Sequence, residues 1–315
     1  MQGHPLLRVP LYQCYYPVMI KKRAYFKTRT LPYLLILPQI LITITFFYWP
    51  AVQGLFASFQ LSDPFGMRTR FVWFDNFVAL FSDPLYLKSM GTTLIFSGSV
   101  AIVSISCGLF LASMANRVLR FTTLTRTLLI WPYAIAPAIS GILWLFLLHP
   151  SYGVVSITLE NWFGLDWNPL LESSHAMLLI VMASAWKNIS YNFVFFLAGL
   201  QAVPHSLIEA AAMDGASPFR RFWAITFPML SPTMFFVTVM TIIFSFFESF
   251  GVIHAVTQGG PGGSTNILVY KVYQDGFIGL NLGASSAQSI VLMLLIVLIT
   301  TLQFKDVEPK VQYRG

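Results

Sequence analysis

The sequence predicts an all-α, polytopic membrane protein with six transmembrane helices. Of its 315 residues, 56% are hydrophobic and only 10% are charged, whereas about a quarter of the residues in a soluble domain are charged. The mean hydropathy of +0.70 agrees, because a soluble core cannot bury this much apolar surface. Lipid is therefore the expected solvent for much of the chain.

Six apolar windows are long enough for a helix to cross the hydrocarbon core, which takes roughly 20 residues. Only two of them contain a charged residue, Lys187 in the fourth and Glu248 in the fifth. The windows are Leu31–Leu55, Ser89–Asn116, Thr127–Leu148, Ala176–Leu200, Pro232–His254 and Ala284–Phe304. They predict a transmembrane domain over residues 31–304.

The positive charges predict the orientation of these spans. Most of the 19 Lys and Arg residues lie in segments 1–30, 115–126, 200–231 and 305–315, between or outside the windows. Cytoplasmic segments carry such an excess, so residues 1–30 and 305–315 are expected to be cytoplasmic tails. Because the net charge of +7 is scattered among apolar stretches, no nucleic acid partner is expected.

Other site chemistries lack their signatures. The two cysteines, Cys14 and Cys107, are far apart and belong to no Cys/His cluster, so neither a metal site nor a disulfide framework is expected. No GxxxxGKS/T phosphate-binding loop occurs. We therefore expect no cofactor and no catalytic residues in this chain.

Two windows carry packing signals. In the second, Ser104, Gly108 and Ala112 recur every four residues, a stripe that lets another helix approach closely. In the third, the stretch WPYAIAP contains Pro132 and Pro137. Proline removes a backbone donor, so it either kinks the helix or breaks it at a site that lines a cavity or packs in protein.

The segment 200–231 predicts a small helical hairpin between the fourth and fifth spans. Pro204 opens a short helix that continues through the good helix formers up to Met213. Gly215 then allows a sharp turn, and a second segment starts near Ser217. Such an alanine-rich element either docks on a partner protein or is an ordinary connection.

The same segment resembles a family signature: Glu-Ala-Ala, three residues, Gly, nine residues, Ile, one residue and Leu-Pro. This pattern is similar to that of binding-protein-dependent ABC importer permeases, except that Phe227 replaces the usual leucine. The resemblance implies a coupling helix that sits in a cleft of an ATPase subunit. The residues to which it assigns this role are Glu209, Ala210, Ala211, Asp214, Gly215, Ile225 and Pro228.

Further stretches resemble the A-type permeases of sn-glycerol-3-phosphate importers. They are LPYLLILPQ, DPFG, LIWPYAIAPA, WKNISYNF, SLIEAAAMDGA and ASSAQSIVLM, and TQGGPGGST resembles the periplasmic loop of carbohydrate-type permeases. The resemblance implies a type-1 ABC importer permease fold with a core at about 88–303, a location in the cytoplasmic (inner) membrane, and sn-glycerol 3-phosphate as the solute. A neutral sugar such as maltose or trehalose is the alternative solute; a polytopic membrane enzyme or a passive channel is the alternative of another class.

The resemblance also implies partners. A second permease subunit would complete a heterodimer within the lipid bilayer, a dimer of ATP-binding subunits would hydrolyse ATP, and an extracytoplasmic solute-binding protein would deliver the solute. The chain itself is then not an enzyme.

The fourth span offers candidate solute contacts, because ionisable groups at membrane depth are costly and usually functional. Lys187, Asn188, Tyr191 and Asn192 provide a cation, amides and a phenol that suit a phosphate group, and Glu248 is the expected counter-charge. Alternatively, Lys187 pairs with Glu248 for structural reasons or reaches an aqueous vestibule.

Overall fold

The computed structural model describes residues 30–63, 68–117 and 122–306. The basic N-terminal tail, Cys14, part of the DPFG stretch, part of the loop after the second window and nearly all of the C-terminal tail lie outside the described residues. Their expected positions remain predictions.

The described residues form fifteen α-helical segments. They are α1 (Thr30–Thr43), α2 (Trp49–Ala57), α3 (Asp75–Ser82), α4 (Pro84–Arg117), α5 (Thr122–Ile130), α6 (Pro137–Leu147), α7 (Val154–Phe163), α8 (Ser173–Gln201), α9 (His205–Met213), α10 (Pro218–Arg221), α11 (Phe227–Met229), α12 (Ser231–Phe247), α13 (Phe250–Val256), α14 (Leu268–Tyr273) and α15 (Leu282–Asp306). A 3₁₀ turn at Trp131–Ala134 and π-helical turns at Ile44–Tyr48, Phe222–Thr226 and Gln274–Ile278 continue some of these helices.

The predicted apolar windows all fall on helices. Three helical stretches are long and apolar enough to cross a membrane, and up to six spans result if each bent helix pair counts as one. The three are Thr30–Ala57, Pro84–Asn116 and Leu282–Lys305. The bent pairs include α8 with α9, and the helical stretch Pro218–Met229 with α12.

The chain separates into two units, residues 1–52 and residues 53–315. In the described part of the first unit, helix α1 has no buried residue, and the aromatic rings of Phe46 and Phe47 are each 70% exposed. Apolar area of this extent needs lipid or another protein to cover it.

In the second unit, α8 contributes to two of the hydrophobic clusters. Phe96 of α4, Leu179 of α8 and Ile253 of α13 belong to one of them, and Phe193 of α8 and Val237 of α12 belong to another. Because both clusters include α8 side chains, this helix is the central packing element of the unit.

A short antiparallel hairpin links α2 to α3. Strands β1 (Gln60–Ser62) and β2 (Thr69–Phe71) pair with Leu61 opposite Arg70. The buried Asn76 side chain donates to the carbonyl oxygens of Ser58 at 2.8 Å and Gln60 at 3.0 Å, which fastens the start of α3 to the hairpin.

The third window is broken rather than kinked. A 3₁₀ turn over Trp131–Ala134 ends in extended backbone at Ile135 and Ala136, and α6 restarts at Pro137, so the two halves meet at 109°. The residue before a proline disfavours helical backbone, which explains the extended Ala136. The Ser140 hydroxyl donates to the Ala183 carbonyl of α8 at 3.0 Å, so the first turn of α6 packs against α8, whereas Ala134 and Ala136 at the break are exposed.

The predicted small-residue stripe is where α4 meets α8. Ser104 and Ala112 are fully buried, and a Cβ atom added at Gly108 would lie 2.8 Å from the Asn192 Cβ and 3.3 Å from the Phe193 backbone nitrogen. The stripe therefore lets the two backbones approach too closely for any larger residue, as the sequence predicts.

A buried ionic cluster that sequence analysis did not predict joins α14 to two neighbouring segments. The Lys271 ammonium lies 3.0 Å from a carboxylate oxygen of Asp275 and 3.7 Å from one of Asp83, just before α4. Gln288 of α15 donates to Asp275. Lys271 is only 8% exposed and thus acts as a structural cation rather than as a surface charge of a connecting loop.

We expect Gly108→Ala to destabilise the protein by about 1–3 kcal/mol, as overpacking typically does. The added methyl would have to displace the α8 backbone. Gly98→Ala on the same helix is the matched control, since its Cβ would meet nothing within 4 Å. Thermal unfolding of the purified variants in detergent measures both effects; equal melting temperatures for the two variants would contradict the close α4–α8 contact.

Candidate functional site

The helical hairpin predicted in segment 200–231 is present. We call residues 204–221 the α9–α10 hairpin. Pro204, with extended backbone, precedes α9, and Asp214 ends it. Ser217 then caps α10, where its hydroxyl accepts from the Arg220 amide at 3.3 Å. The boundaries at Pro204, Met213 and Ser217 agree with the sequence analysis.

A complete Schellman turn fixes the hairpin at Gly215. The Gly215 amide donates to the Ala212 carbonyl and the Ala216 amide to the Ala211 carbonyl, each at 3.0 Å. Gly215 has a φ of +78°, a left-handed conformation that suits glycine at this position of the motif. Because α9 ends in a fully bonded cap, the hairpin is expected to move as one piece.

The signature residues separate into two groups. Glu209, Ala210, Asp214 and Gly215 are exposed on the hairpin, whereas Ala211 is half-buried. Ile225 and Pro228 are half-buried beyond it, in the π turn and in α11. The first group is accessible to another protein, and the second positions the chain that leads into α12.

The hairpin also exposes apolar residues that sequence analysis did not single out. Met213 is 88% exposed, Phe219 is 75% exposed and Leu207 is 45% exposed. Exposed apolar side chains at the tip of a protruding element are typical of contact sites. The sequence feature that could have identified the exposed residues is the amphipathic pattern of α9. In the structure, only Ile208 and Ala211 of this helix are half-buried, and its other residues are exposed.

Three of the four candidate residues on α8 are partly accessible. Lys187, Asn188 and Tyr191 are half-buried, and the Asn188 amide donates to the Ser184 carbonyl of its own helix at 3.0 Å. The Tyr191 ring lies 5.2 Å from that of Phe244 on α12. These side chains form a small polar patch with an aromatic border.

Tyr133 joins this patch through the broken third span. Its ring centroid lies 5.8 Å from that of Tyr191. Sequence analysis identified the two prolines around Tyr133 but not the residue itself. The contact depends on the direction that the chain takes at the break, which the sequence does not give.

Glu248 lies at the end of α12, where the fifth span is interrupted before α13. Its side chain is exposed. Among the described residues, neither Glu248 nor Lys187 forms an ion pair within 4.0 Å, so the structure does not contain the direct Lys187–Glu248 pair that the sequence offered as an alternative.

Asn192 is separated from its neighbours on α8. It is fully buried, and its Oδ1 accepts from the Thr241 hydroxyl of α12 at 3.0 Å. Its Nδ2 has no hydrogen-bond partner among the described residues. In this conformation Asn192 lies between helices and is not accessible to a solute.

The glycine-rich loop Thr257–Thr265 is held by its own hydrogen bonds. The buried Thr265 hydroxyl lies 2.7 Å from both the Gly260 carbonyl oxygen and the Thr257 hydroxyl, and the Gly260–Pro261 bond is cis. Lys88 Nζ donates to the Gly262 carbonyl at 3.4 Å. The loop thus has a defined shape.

In the ranges 30–63, 68–117 and 122–306, no group of three or more His, Cys, Asp and Glu residues has the arrangement of a metal site.

Comparison with known proteins identifies sequence relatives over almost the whole chain. Residues 104–313 match the family described as binding-protein-dependent transport system inner membrane component. The sn-glycerol-3-phosphate transport system permease protein UgpA of Rhizobium meliloti is 53% identical over 292 residues, which cover 93% of this chain and 99% of that protein. The protein of the same name from Yersinia enterocolitica is 50% identical over 296 residues, 94% of this chain and all of that protein.

A solved structure shows the same fold. One chain of a bacterial ABC transporter involved in the import of the acidic polysaccharide alginate aligns with a TM-score of 0.77 and 24% identity, covering 89% of this chain and 95% of that chain. This similarity confirms the predicted ABC importer permease fold.

We expect Thr241→Val to destabilise the protein by about 1–3 kcal/mol, because it removes the donor to the fully buried Asn192 amide and leaves that group unpaired. Thr238→Val is the control on the same helix, since the Thr238 hydroxyl bonds only to its own helix, at Met234. Thermal unfolding in detergent compares the two. A Thr241 variant as stable as the Thr238 variant would show that the buried bond contributes little.

Proposed function

The chain belongs to the family of binding-protein-dependent transport system inner membrane components, and from this premise we propose that it carries sn-glycerol 3-phosphate across the cytoplasmic membrane as one permease subunit of an ATP-driven importer. The observation that carries the proposal is the α9–α10 hairpin, on which the signature residues Glu209, Asp214 and Gly215 are exposed, in a chain whose sequence has no phosphate-binding loop. The high identity to relatives named for sn-glycerol-3-phosphate transport supports the choice of solute.

The hairpin is suited to transmit force from an external ATPase. Two residues separate it from the end of α8, and the π turn after α10 leads through α11 into α12. Its Schellman turn and Ser217 cap make it a stiff element, so a push on α9 acts on both membrane helices. If α8 and α12 have two arrangements that differ in their affinities for the ATPase and the solute, the solute site can open to each side of the membrane in turn.

The proposed assembly has four kinds of component. This chain and a second permease subunit form a heterodimer in the bilayer, a pair of ATP-binding subunits docks on the hairpins, and an extracytoplasmic protein delivers the solute. The exposed apolar residues Met213 and Leu207 support docking at the hairpin. With both termini cytoplasmic, the hairpin faces the ATPase side.

Within the membrane, the polar patch on α8 is the proposed solute contact. Lys187 binds the phosphate group, and Asn188, Tyr191 and the neighbouring Tyr133 donate to its oxygens or to the glycerol hydroxyls. Glu248 balances the Lys187 charge when no solute is present. Asn192 supports the patch from behind by holding α8 against α12.

Uptake of radiolabelled solute into vesicles that contain the complete importer tests this proposal. We expect accumulation of glycerol 3-phosphate and not of maltose. We expect Lys187→Gln to reduce glycerol 3-phosphate uptake roughly tenfold or more, because a hydrogen bond to a charged group contributes about 1.5–3 kcal/mol. Lys305→Gln, at an exposed lysine near the end of α15, is the control with the same change.

If the parent importer took up maltose instead, the solute would be a neutral sugar and not glycerol 3-phosphate. Normal glycerol 3-phosphate uptake by the Lys187 variant would instead retain the solute but remove Lys187 from its binding site. The two results are therefore distinguishable.

A second prediction concerns the turn of the hairpin. We expect Gly215→Val to lower the amount of solute imported per ATP hydrolysed, because a β-branched residue strains left-handed backbone by about 1–2 kcal/mol or more. Gly215→Asn is the matched control, since asparagine tolerates this conformation and the space beside the Gly215 Cα is open.

The measurement is the ratio of uptake to ATP hydrolysis, together with the yield of ATPase that co-purifies. Equal coupling in the valine and asparagine variants would argue against a role for the left-handed turn.

A further inference from the structure

Two adjoining cavities lie where the end of α4 meets the α9–α10 hairpin. One measures about 290 Å³ and the other about 580 Å³. They share the residues Ser113, Pro218 and Phe222. The pair therefore forms one continuous site with two parts of different chemistry.

The smaller cavity is the more polar of the two and carries basic side chains. Asn116, His205, Arg221 and Thr226 contribute to its lining, and among the described residues no acidic side chain does. Arg221 is half-buried, and its Nε is a buried donor without a hydrogen-bond partner among the described residues. A buried guanidinium nitrogen without an acceptor is costly, so this cavity is complementary to an anion.

The larger cavity is apolar and aromatic. It is lined by Phe110 and Met114 of α4, by Phe219 of α10 and by Trp223 of the following π turn. The Trp223 ring packs against those of Phe219 and Phe227, with centroids 6.2 Å and 4.8 Å apart. All four lining side chains are about half exposed or more, so the cavity opens on the outer surface of the chain.

The position of the site along α4 indicates its surroundings. Helix α4 is one of the stretches apolar enough to span a membrane, and the lining residues of the site, from Ser106 to Asn116, lie on about its last three turns. This is the depth at which hydrocarbon gives way to headgroups, where basic residues meet anionic lipid phosphates.

From these observations we propose that the two-part cavity binds one anionic phospholipid. Its phosphate accepts from Arg221 Nε and from an imidazole N–H of His205, while one acyl chain lies along Phe110, Met114 and Trp223. A free phosphate ion would leave the apolar part exposed, and a zwitterionic lipid would bring a second cation beside Arg221. The anionic lipid satisfies both parts.

Such a lipid would link membrane composition to the hairpin. It contacts the end of α4 on one side, and His205 and Arg221 of the hairpin on the other. The lipid would thereby set how firmly the hairpin rests against the span. The assignment of this lipid to the cytoplasmic leaflet rests on the proposed function; the rest of the inference does not.

Fluorescence quenching by brominated lipids tests the site in the complete importer reconstituted in vesicles. The chain has eight tryptophans, so the Trp223 signal is the difference between the parent and Trp223→Phe. We expect brominated phosphatidylglycerol to quench Trp223 with roughly fivefold higher apparent affinity than brominated phosphatidylcholine, since one basic residue near the surface contributes about 1 kcal/mol to anionic lipid binding.

Neighbouring arginines supply the matched variants. Arg221→Gln should abolish the preference for phosphatidylglycerol, whereas Arg220→Gln, which removes the same charge from an exposed residue outside the cavity lining, should retain it. If Arg221→Gln does not assemble, the comparison of the two lipids on the parent protein decides alone.

Three results would overturn the proposal. Equal quenching by the two lipids would show a general lipid contact, and absence of quenching by either would show that another polypeptide covers the site. Loss of the preference on addition of inorganic phosphate would show a site for the free ion. None of these measurements depends on transport. A result that overturns the lipid site would therefore leave the proposed function untouched.

Discussion

One constraint underlies this structure: a backbone in lipid must satisfy its own hydrogen bonds, so irregular chain at membrane depth is tolerated only where protein buries it or where it lines a water-filled cavity. The third span breaks at Ile135–Ala136, and the fifth is interrupted at Glu248–Ser249. Both breaks belong to helices that pack against α8, where Ser140 bonds to Ala183 and Ile253 of α13 joins the central cluster, while Ala136 and Glu248 themselves are exposed. Two residues of the proposed solute site, Tyr133 and Glu248, lie at these breaks.

Helix α8, which is packed on both sides, lies next to the exposed α9–α10 hairpin. Helix α8 is fixed against α4 through Gly108 and against α12 through Asn192 and Thr241. The same helix carries Lys187 and Tyr191 on its accessible side and ends two residues before the hairpin. In the proposed mechanism, a displacement of the hairpin reaches the polar patch through this helix.

Local features could be predicted from the sequence because their causes are local. The apolar windows, the small-residue stripe and the hairpin with its turn at Gly215 follow from composition, spacing and backbone preference. The burial of Asn192, the contact of Tyr133 with Tyr191 and the exposure of Met213 could not, because each depends on which helix lies opposite. Lys271 illustrates the limit: it is a basic residue between two apolar windows, and only the folded chain brings it to Asp83 and Asp275.

The Lys271 cluster also restricts how this protein can evolve. Replacing the lysine alone would leave two carboxylates without their cation, and replacing either acid would leave a lysine that is only 8% exposed with less than its full complement of charge. We therefore expect each single step to lead through a less stable intermediate, although an apolar set of similar volume can be as stable as the original. The three positions are then expected to change by coordinated exchange rather than one at a time.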